Sequence, residues 1–163
     1  MEADTPPSAL FAAACPPRQR ASNYPPDVLE RYAAALAGRE KRALGECFGL
    51  TRFGVNLTRL APGAISALRH AHSQQDEFIY VLEGSPTLVL AAQERVLVPG
   101  MCAGFRAGTG QAHQLANRSA AEVLYLEVGD RGAGDAVVYP DDDLAASFVD
   151  GRWRFTRRDG APC

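Results

Sequence analysis

The stretch GAISALRHAHSQQDEFIYVLEG, residues 63–84, decides the fold because it places three metal-ligating side chains between two turn-forming glycines. In a β-strand, side chains two residues apart point to the same face, so His70 and His72 can present both imidazoles to one point. Glu77 follows after a short polar segment and can add a carboxylate at a third corner. The stretch therefore predicts two strands joined by a turn that together offer three ligands to one ion.

Asp76, next to Glu77, is a rival for the carboxylate position. Strand alternation separates the two, because the apolar Ile79 and Val81 share a face with Glu77 and should look toward the core. Asp76 would then point outward into solvent. We therefore expect Glu77 to be the acidic ligand.

A second stretch, GMCAGFRAGTGQAHQLAN at residues 100–117, adds His113 on a strand that is distant in sequence but reachable across a β-barrel. A single histidine is more often an ordinary core or surface residue than a ligand, but here all three histidines of the chain fall into one set. Three neutral imidazoles and one carboxylate suit one divalent Fe, Mn, Ni, Co, Cu or Zn ion. They leave one or two coordination positions for water or substrate.

Short β-rich runs divided by Gly and Pro continue on both sides of these stretches, which predicts an all-β sandwich or barrel. The runs cover residues 53–60, 78–82, 87–90, 95–98, 123–128 and 137–139. Near the end, the dipeptide Asp150-Gly151 lies between residues 148–149 and 152–153. Asp-Gly is favoured in a type I′ hairpin turn. A C-terminal hairpin is expected there.

The chain begins with a different pattern, which divides it into an N-terminal arm (1–48) and a β domain (49–163). Proline pairs interrupt the first 26 residues, and one helix, Pro26 to Ala37, follows with apolar residues on a single face. The run 39–42 alternates in charge and is interpreted as the solvated end of that helix. We expect no further helix of this length.

Composition excludes several classes of function. A net charge of -2 and a pI near 5.9 give no basic surface for nucleic acid, and no apolar run approaches the roughly 18 residues of a membrane helix. The acidic N-terminus does not resemble a secretion signal, so a cytoplasmic protein is expected. Four widely spaced cysteines without a CxxC pair are interpreted as reduced thiols: Cys15, Cys47, Cys102 and Cys163.

The two stretches resemble the paired motifs of the cupins. The first motif of that family reads Gly, five residues, His-x-His, three or four residues, Glu, six residues, Gly, and it is matched at Gly63, His70, His72, Glu77 and Gly84. The second reads Gly, five residues, Pro-x-Gly, two residues, His, three residues, Asn, and it is matched at Gly100, Gly108, His113 and Asn117. The resemblance covers roughly residues 53 to 128.

Three departures from the motifs lie in connecting segments, where insertions are tolerated. One extra residue precedes His70, Arg106 replaces the usual proline, and four residues rather than two separate Gly108 from His113. The resemblance implies a double-stranded β-helix, or jelly-roll barrel, with the helical arm and the hairpin at its ends. It does not choose a reaction, because cupins include dioxygenases, sugar-phosphate isomerases, decarboxylases, storage proteins and ligand sensors.

We expect a metal-dependent small-molecule enzyme, oxygenase-like or isomerase-like. No histidine is left over to serve as a general base away from the metal, which favours metal-centred chemistry such as oxygenation over a histidine-assisted proton shuttle. The alternative is a non-catalytic cupin that binds or senses a small ligand with a structural metal. Exposed strand edges also favour a homodimer. Candidate substrate contacts are Arg69, Arg106, Tyr80, Tyr125 and Gln111, with the arginines suited to an anion.

Overall fold

The computed structural model describes residues 6–19 and 22–163. A 3₁₀ turn (Ala12–Ala14) precedes two helices, α1 (Pro26–Ala37) and α2 (Leu44–Cys47). The strands are β1 (Arg39–Arg42), β2 (Phe53–Leu60), β3 (Ala71–His72), β4 (Glu77–Glu83), β5 (Thr87–Leu90), β6 (Gln93–Val96), β7 (Cys102–Phe105), β8 (His113–Ala116), β9 (Val123–Asp130), β10 (Ala136–Tyr139), β11 (Leu144–Val149) and β12 (Arg152–Thr156). The all-β prediction is confirmed.

Antiparallel pairing arranges these strands in two facing walls. One wall is a five-stranded sheet in the order β1-β2-β9-β4-β7. The other combines the sheets β12-β11-β10-β3 and β6-β5-β8. Single bridges between His70 and His113 and between Ile65 and Ala116 connect these two smaller sheets. The predicted jelly roll is confirmed, although within the described residues hydrogen bonds form three sheets rather than one closed barrel.

The main core lies between the walls. Leu60, Val81 and Val123 come from the five-stranded sheet and pack with Leu88 and Leu115 from the opposite wall. On the five-stranded sheet their strand neighbours Arg59, Tyr80 and Leu82 are exposed, as strand alternation requires. Inward-facing polar residues on the same strands therefore project into the space between the walls, where the candidate site lies.

Helix α1 has the bounds expected from its sequence, with Pro26 in the first turn, where its missing N–H loses no hydrogen bond. Val28 is buried in a second apolar cluster with Leu68, Tyr139 and Leu144. Full burial of a valine or leucine side chain contributes about 1.5–3 kcal/mol. The helix therefore covers one face of the four-stranded sheet.

Strand β1 corrects the interpretation of residues 39–42 as a solvated helix end. Arg39 pairs with Leu60 and Arg42 with Leu57, so this segment forms the edge of the five-stranded sheet. Gly38 ends the helix directly before the strand. The free edge of β2 favours strand pairing over helical continuation, and alternating charges suit a strand with one solvated face.

A disulfide corrects the expectation that all cysteines are reduced thiols. Cys15 and Cys47 are bonded, while Cys102 and Cys163 are free and exposed. The bond joins the N-terminal segment to α2, and Pro17 also bridges Arg42 of β1. Disulfides persist mainly in oxidising compartments, so this bond does not support the expected cytoplasmic location. That location stays a prediction.

Two turns match their predictions closely. Asp150 and Gly151 both have positive φ, 52° and 74°, and connect β11 to β12 as the expected hairpin. Gly84 has a φ of 76°, and a Cβ there would lie 2.3 Å from the carbonyl oxygen of Glu122. Only glycine fits this close approach between the end of β4 and the start of β9.

None of the helices in the described residues is both long enough and apolar enough to cross a membrane.

Candidate metal centre

The expected ligands come from strands of three different sheets. His72 lies on β3, Glu77 begins β4 and His113 begins β8. His70 sits just before β3 and is paired with His113 through both backbone hydrogen bonds, 3.1 Å and 2.8 Å long. The bridge between the two small sheets therefore places two imidazoles side by side, with ring centroids 4.7 Å apart.

The ring nitrogens converge on a single carboxylate oxygen. Glu77 Oε2 lies 2.9 Å from Nε2 of His113, 3.5 Å from Nε2 of His70 and 3.6 Å from Nε2 of His72. Donor atoms of His70, Glu77 and His113 all lie within 4.8 Å of one another. His72 adjoins this trio through its contact with Glu77.

These donors fit a divalent transition metal. Metal–ligand bonds are about 2.1 Å, which places neighbouring ligand atoms of one ion about 3.0–3.4 Å apart. The distances from Glu77 to the imidazoles lie close to that range. Glu77 Oε2 is also buried and has no hydrogen-bond partner among the described residues. The three imidazole nitrogens are near it, but their geometry is not that of hydrogen bonds.

At Glu77 and His113, electrostatics favour the charge states that a metal site needs. Burial alone would raise the pKa of Glu77, but the contacts with His113 and His70 outweigh it and hold that pKa well below its usual value. Burial lowers the pKa of His113. Burial also acts to lower the pKa of His70, but Glu77 raises it overall. Glu77 is therefore ionised, and His113 is neutral, as ligation requires.

Asp135 holds His72 in place, and the sequence analysis missed it. Its Oδ2 lies 2.5 Å from His72 Nδ1, and its Oδ1 accepts hydrogen bonds from the backbone N–H groups of Ser73 and Gln74. A carboxylate on Nδ1 leaves Nε2 free to ligate. Asp135 follows a glycine-rich loop 63 residues after His72, and no motif spacing links the two.

Packing and a backbone contact orient the other two histidines. Phe105 stacks on His113 with ring centroids 3.6 Å apart and planes 2° from parallel. His70 Nδ1 lies 2.8 Å from the carbonyl oxygen of Leu68, which assigns that nitrogen as the donor. Both arrangements direct Nε2 toward Glu77.

A cavity of about 90 Å³ extends from these ligands between the walls. His70, Glu77 and His113 belong to its lining, and we call the region around them the metal end. Two cations of β1, Arg39 and Lys41, also line it. We call the region around them the cation end.

The cavity wall near the cation end carries two further functional groups. Glu127 on β9 accepts a hydrogen bond from Lys41 Nζ at 2.6 Å. Tyr125 is completely buried, and its hydroxyl has no hydrogen-bond partner among the described residues. Burial raises the pKa of Tyr125 well above its usual value, so the hydroxyl stays protonated. Motif spacing gave no signal for Arg39, Lys41 or Glu127, because they depend on the strand pairing of β1.

The five expected substrate contacts are dispersed. Tyr125 lines the main cavity, and Arg106 and Gln111 line a small pocket beside His72 and His113. Arg69 forms a two-bond ion pair with a surface aspartate and lines neither space, and Tyr80 is exposed on the outer face of β4.

The chain has two facing β-walls with a His/Glu site between them. This arrangement defines the class of double-stranded β-helix proteins that carry such a site inside. The cupin domain family model matches residues 56–129. A sugar phosphate isomerase of the cupin superfamily from Silicibacter pomeroyi is 42% identical, with a TM-score of 0.87, over 95% of this chain and 96% of that one. The chain belongs to the cupin superfamily.

Two more distant structures share this fold. A proposed sugar phosphate isomerase from Acidithiobacillus ferrooxidans is 28% identical, with a TM-score of 0.71, over 77% of this chain and 80% of that one. The polyketide cyclase RemF from Streptomyces resistomycificus is 20% identical, with a TM-score of 0.59, over 75% of this chain and 78% of that one, and it shows the fold alone. No curated protein matches the chain.

Proposed function

We propose that this protein is a metal-dependent isomerase that interconverts aldose and ketose forms of a sugar phosphate. One observation carries the proposal: a single cavity is lined both by a His/Glu ligand set and by two cations. A sugar phosphate has two groups that match this lining: a carbonyl that a metal can polarise and a phosphate that cations can bind.

The comparison with known structures supports this choice over an oxygenase. The Silicibacter relative is named a sugar phosphate isomerase, and its similarity extends over nearly the whole of both chains. The polar cavity wall agrees with it, because Glu127 and Tyr125 offer a proton acceptor and a hydrogen-bond donor in the lining of the same cavity.

The chain's own residues would carry the proton transfer. A bound divalent ion would supply Lewis-acid polarisation of the substrate carbonyl. The Glu127 carboxylate would take the proton from the hydroxyl-bearing carbon next to the carbonyl and return it to the former carbonyl carbon. The proton of that hydroxyl would pass to the former carbonyl oxygen, so the reaction has no net oxidation. The neutral Tyr125 hydroxyl would donate a hydrogen bond to the oxygen on which negative charge develops.

Proton NMR of metal-loaded protein in D₂O, with a panel of aldose and ketose phosphates, tests the proposal. We expect interconversion of one pair with deuterium incorporated at the carbon that receives the proton. Glu127→Gln should abolish the exchange while retaining the metal, whereas Arg59→Gln, on the outer side of β2, should match the wild type. A metal-loaded protein that converts no sugar phosphate would contradict the proposal, and tight binding without turnover would support the non-catalytic alternative.

We also propose that the protein forms a homodimer through the outer face of β4. Phe78, Tyr80 and Leu82 alternate along this strand, and each is more than a third exposed. Contiguous apolar side chains on a sheet surface are typical of a protein interface. Sedimentation analysis should give about twice the chain mass for the wild type and a monomer for Phe78→Glu; a monomeric wild type would contradict the dimer.

A further inference from the structure

Strand β1 directs two positive charges into the cavity. Side chains alternate along a strand, so Arg39 and Lys41 face inward while Glu40 and Arg42 face outward and pair with each other at 3.0 Å. Thr58 is the β2 partner of Lys41 and is fully buried, which confirms that this face of the sheet is the inner one. The strand therefore places a pair of cations on the wall of the site.

Arg39 is a cation without an ionic partner. Its Nη1 donates to the carbonyl oxygen of Ser66, and no carboxylate lies within 4 Å of it among the described residues. A guanidinium has five N–H donors, so most of them remain available. A half-buried arginine that lines a cavity with free donors is the arrangement that binds an anion.

Lys41 is paired, and its partner belongs to the proposed catalytic groups. The Lys41–Glu127 pair is 22% and 17% exposed, and Asn56 Nδ2 makes a further hydrogen bond to the same glutamate oxygen at 3.3 Å. An incoming phosphate can share Lys41 with Glu127, because an ammonium has three donors.

The cavity charges also favour an anion once a metal is bound. Its two cations are balanced by the carboxylates of Glu77 and Glu127, so a divalent ion leaves an excess of two positive charges. A phosphate monoester carries about -1.5 to -2 near neutral pH. The charges of the loaded cavity and of the ligand therefore nearly cancel.

We infer that Arg39 and Lys41 form the phosphate-binding subsite of the cavity, supplied by a strand outside the segment that the cupin family model matches. The inference rests on the proposed sugar phosphate substrate and fixes its orientation. The phosphate lies against β1, and the carbonyl carbon points toward Glu77. Binding there also draws Lys41 toward the phosphate and leaves one Glu127 oxygen freer to accept a proton.

Calorimetric titration of the full chain, as purified with its metal, with inorganic phosphate tests the subsite. Arg39→Gln should weaken phosphate binding about tenfold or more, because a charged hydrogen bond to phosphate is lost. Lys41→Met alone leaves Glu127 unpaired, so the double variant Lys41→Met/Glu127→Gln is the safer comparison, and it should show a similar loss. Arg59→Gln is the matched control and should bind within twofold of the wild type.

Metal content is measured on the same samples, because phosphate could also bind the ion directly. The subsite is supported if phosphate affinity falls while metal content stays at the wild-type level. It is overturned if the variants bind phosphate like the wild type, if the wild type binds none, or if binding follows metal content alone. Phosphate binding without isomerisation of any sugar phosphate would instead overturn the proposed function and leave the subsite standing.

Discussion

The two ends of the cavity are built in different ways. The metal end uses strands β3, β4 and β8 inside the segment that the family model matches, and backbone pairing, ring stacking and a buried aspartate fix its side chains. The cation end uses an edge strand from the N-terminal arm, joined to the sheet on one side only. Under the proposed function, the strands inside that segment would hold the metal, while β1, outside it, would bind the phosphate of the substrate.

The largest expected effect is on the metal end. Glu77→Gln should reduce the metal content of the purified protein to a small fraction of one ion per chain, because it replaces the ionised ligand at the point where three imidazoles meet. Elemental analysis measures this. Glu127→Gln is the matched control, since it removes a carboxylate from the same cavity and should leave metal content unchanged. Equal metal content in both variants would mean that Glu77 is not a ligand.

The second effect concerns the cation end and the disulfide beside it. The Cys15–Cys47 bond closes a loop with a sequence separation of 32, so Cys15→Ser/Cys47→Ser should lower the free energy of unfolding by about 3 kcal/mol. Urea unfolding measures the loss, and Cys102→Ser serves as the control.

The same double serine variant also tests whether the two ends of the cavity are independent. Arg18 donates its backbone N–H to the carbonyl oxygen of Lys41 at 2.8 Å, so the N-terminal segment supports β1 directly. Phosphate affinity should fall a few-fold while metal affinity stays the same. A loss of metal affinity instead would show that the two ends are not independent.

A third, smaller effect distinguishes the expected ligands from the carboxylate that orients one of them. Asp135→Asn keeps the shape of the side chain but removes the charge beside His72 Nδ1, and metal affinity should fall about 10- to 100-fold. Competition with a chelating dye measures it. Asp143→Asn, outside the site, is the control. An unchanged metal affinity would show that Asp135 serves only the loop formed by Ser73 and Gln74.

The smallest effect is expected at Tyr125. Tyr125→Phe removes a buried hydroxyl without a hydrogen-bond partner, so the free energy of unfolding should change by less than about 1 kcal/mol. Turnover should fall about tenfold with metal content and phosphate affinity unchanged. A large loss of stability would indicate a structural hydrogen bond rather than a role in the reaction.

Sequence reasoning reached the metal end because its signals are local. Side chains two residues apart must share a strand face, and that rule alone brings His70 and His72 together. The hairpin at Asp150 was equally predictable, since its turn depends on two adjacent residues.

The cation end depends on tertiary structure and could not be predicted in this way. Alternating charges at residues 39–42 suit a helix end and an edge strand equally well, and only the open edge of β2 decides between them. Asp135 and Glu127 reach their partners across more than 60 residues with no periodic signal. The pairing of Cys15 with Cys47 has the same origin, because long-range closure of a loop leaves no spacing pattern.

The seam between the two smaller sheets has a consequence for folding. Two backbone hydrogen bonds between His70 and His113 join them at the same place where both side chains would ligate the proposed ion. An ion that binds only when both sheets are in place stabilises the native state by mass action. Without the ion, local opening should therefore occur more readily at this seam.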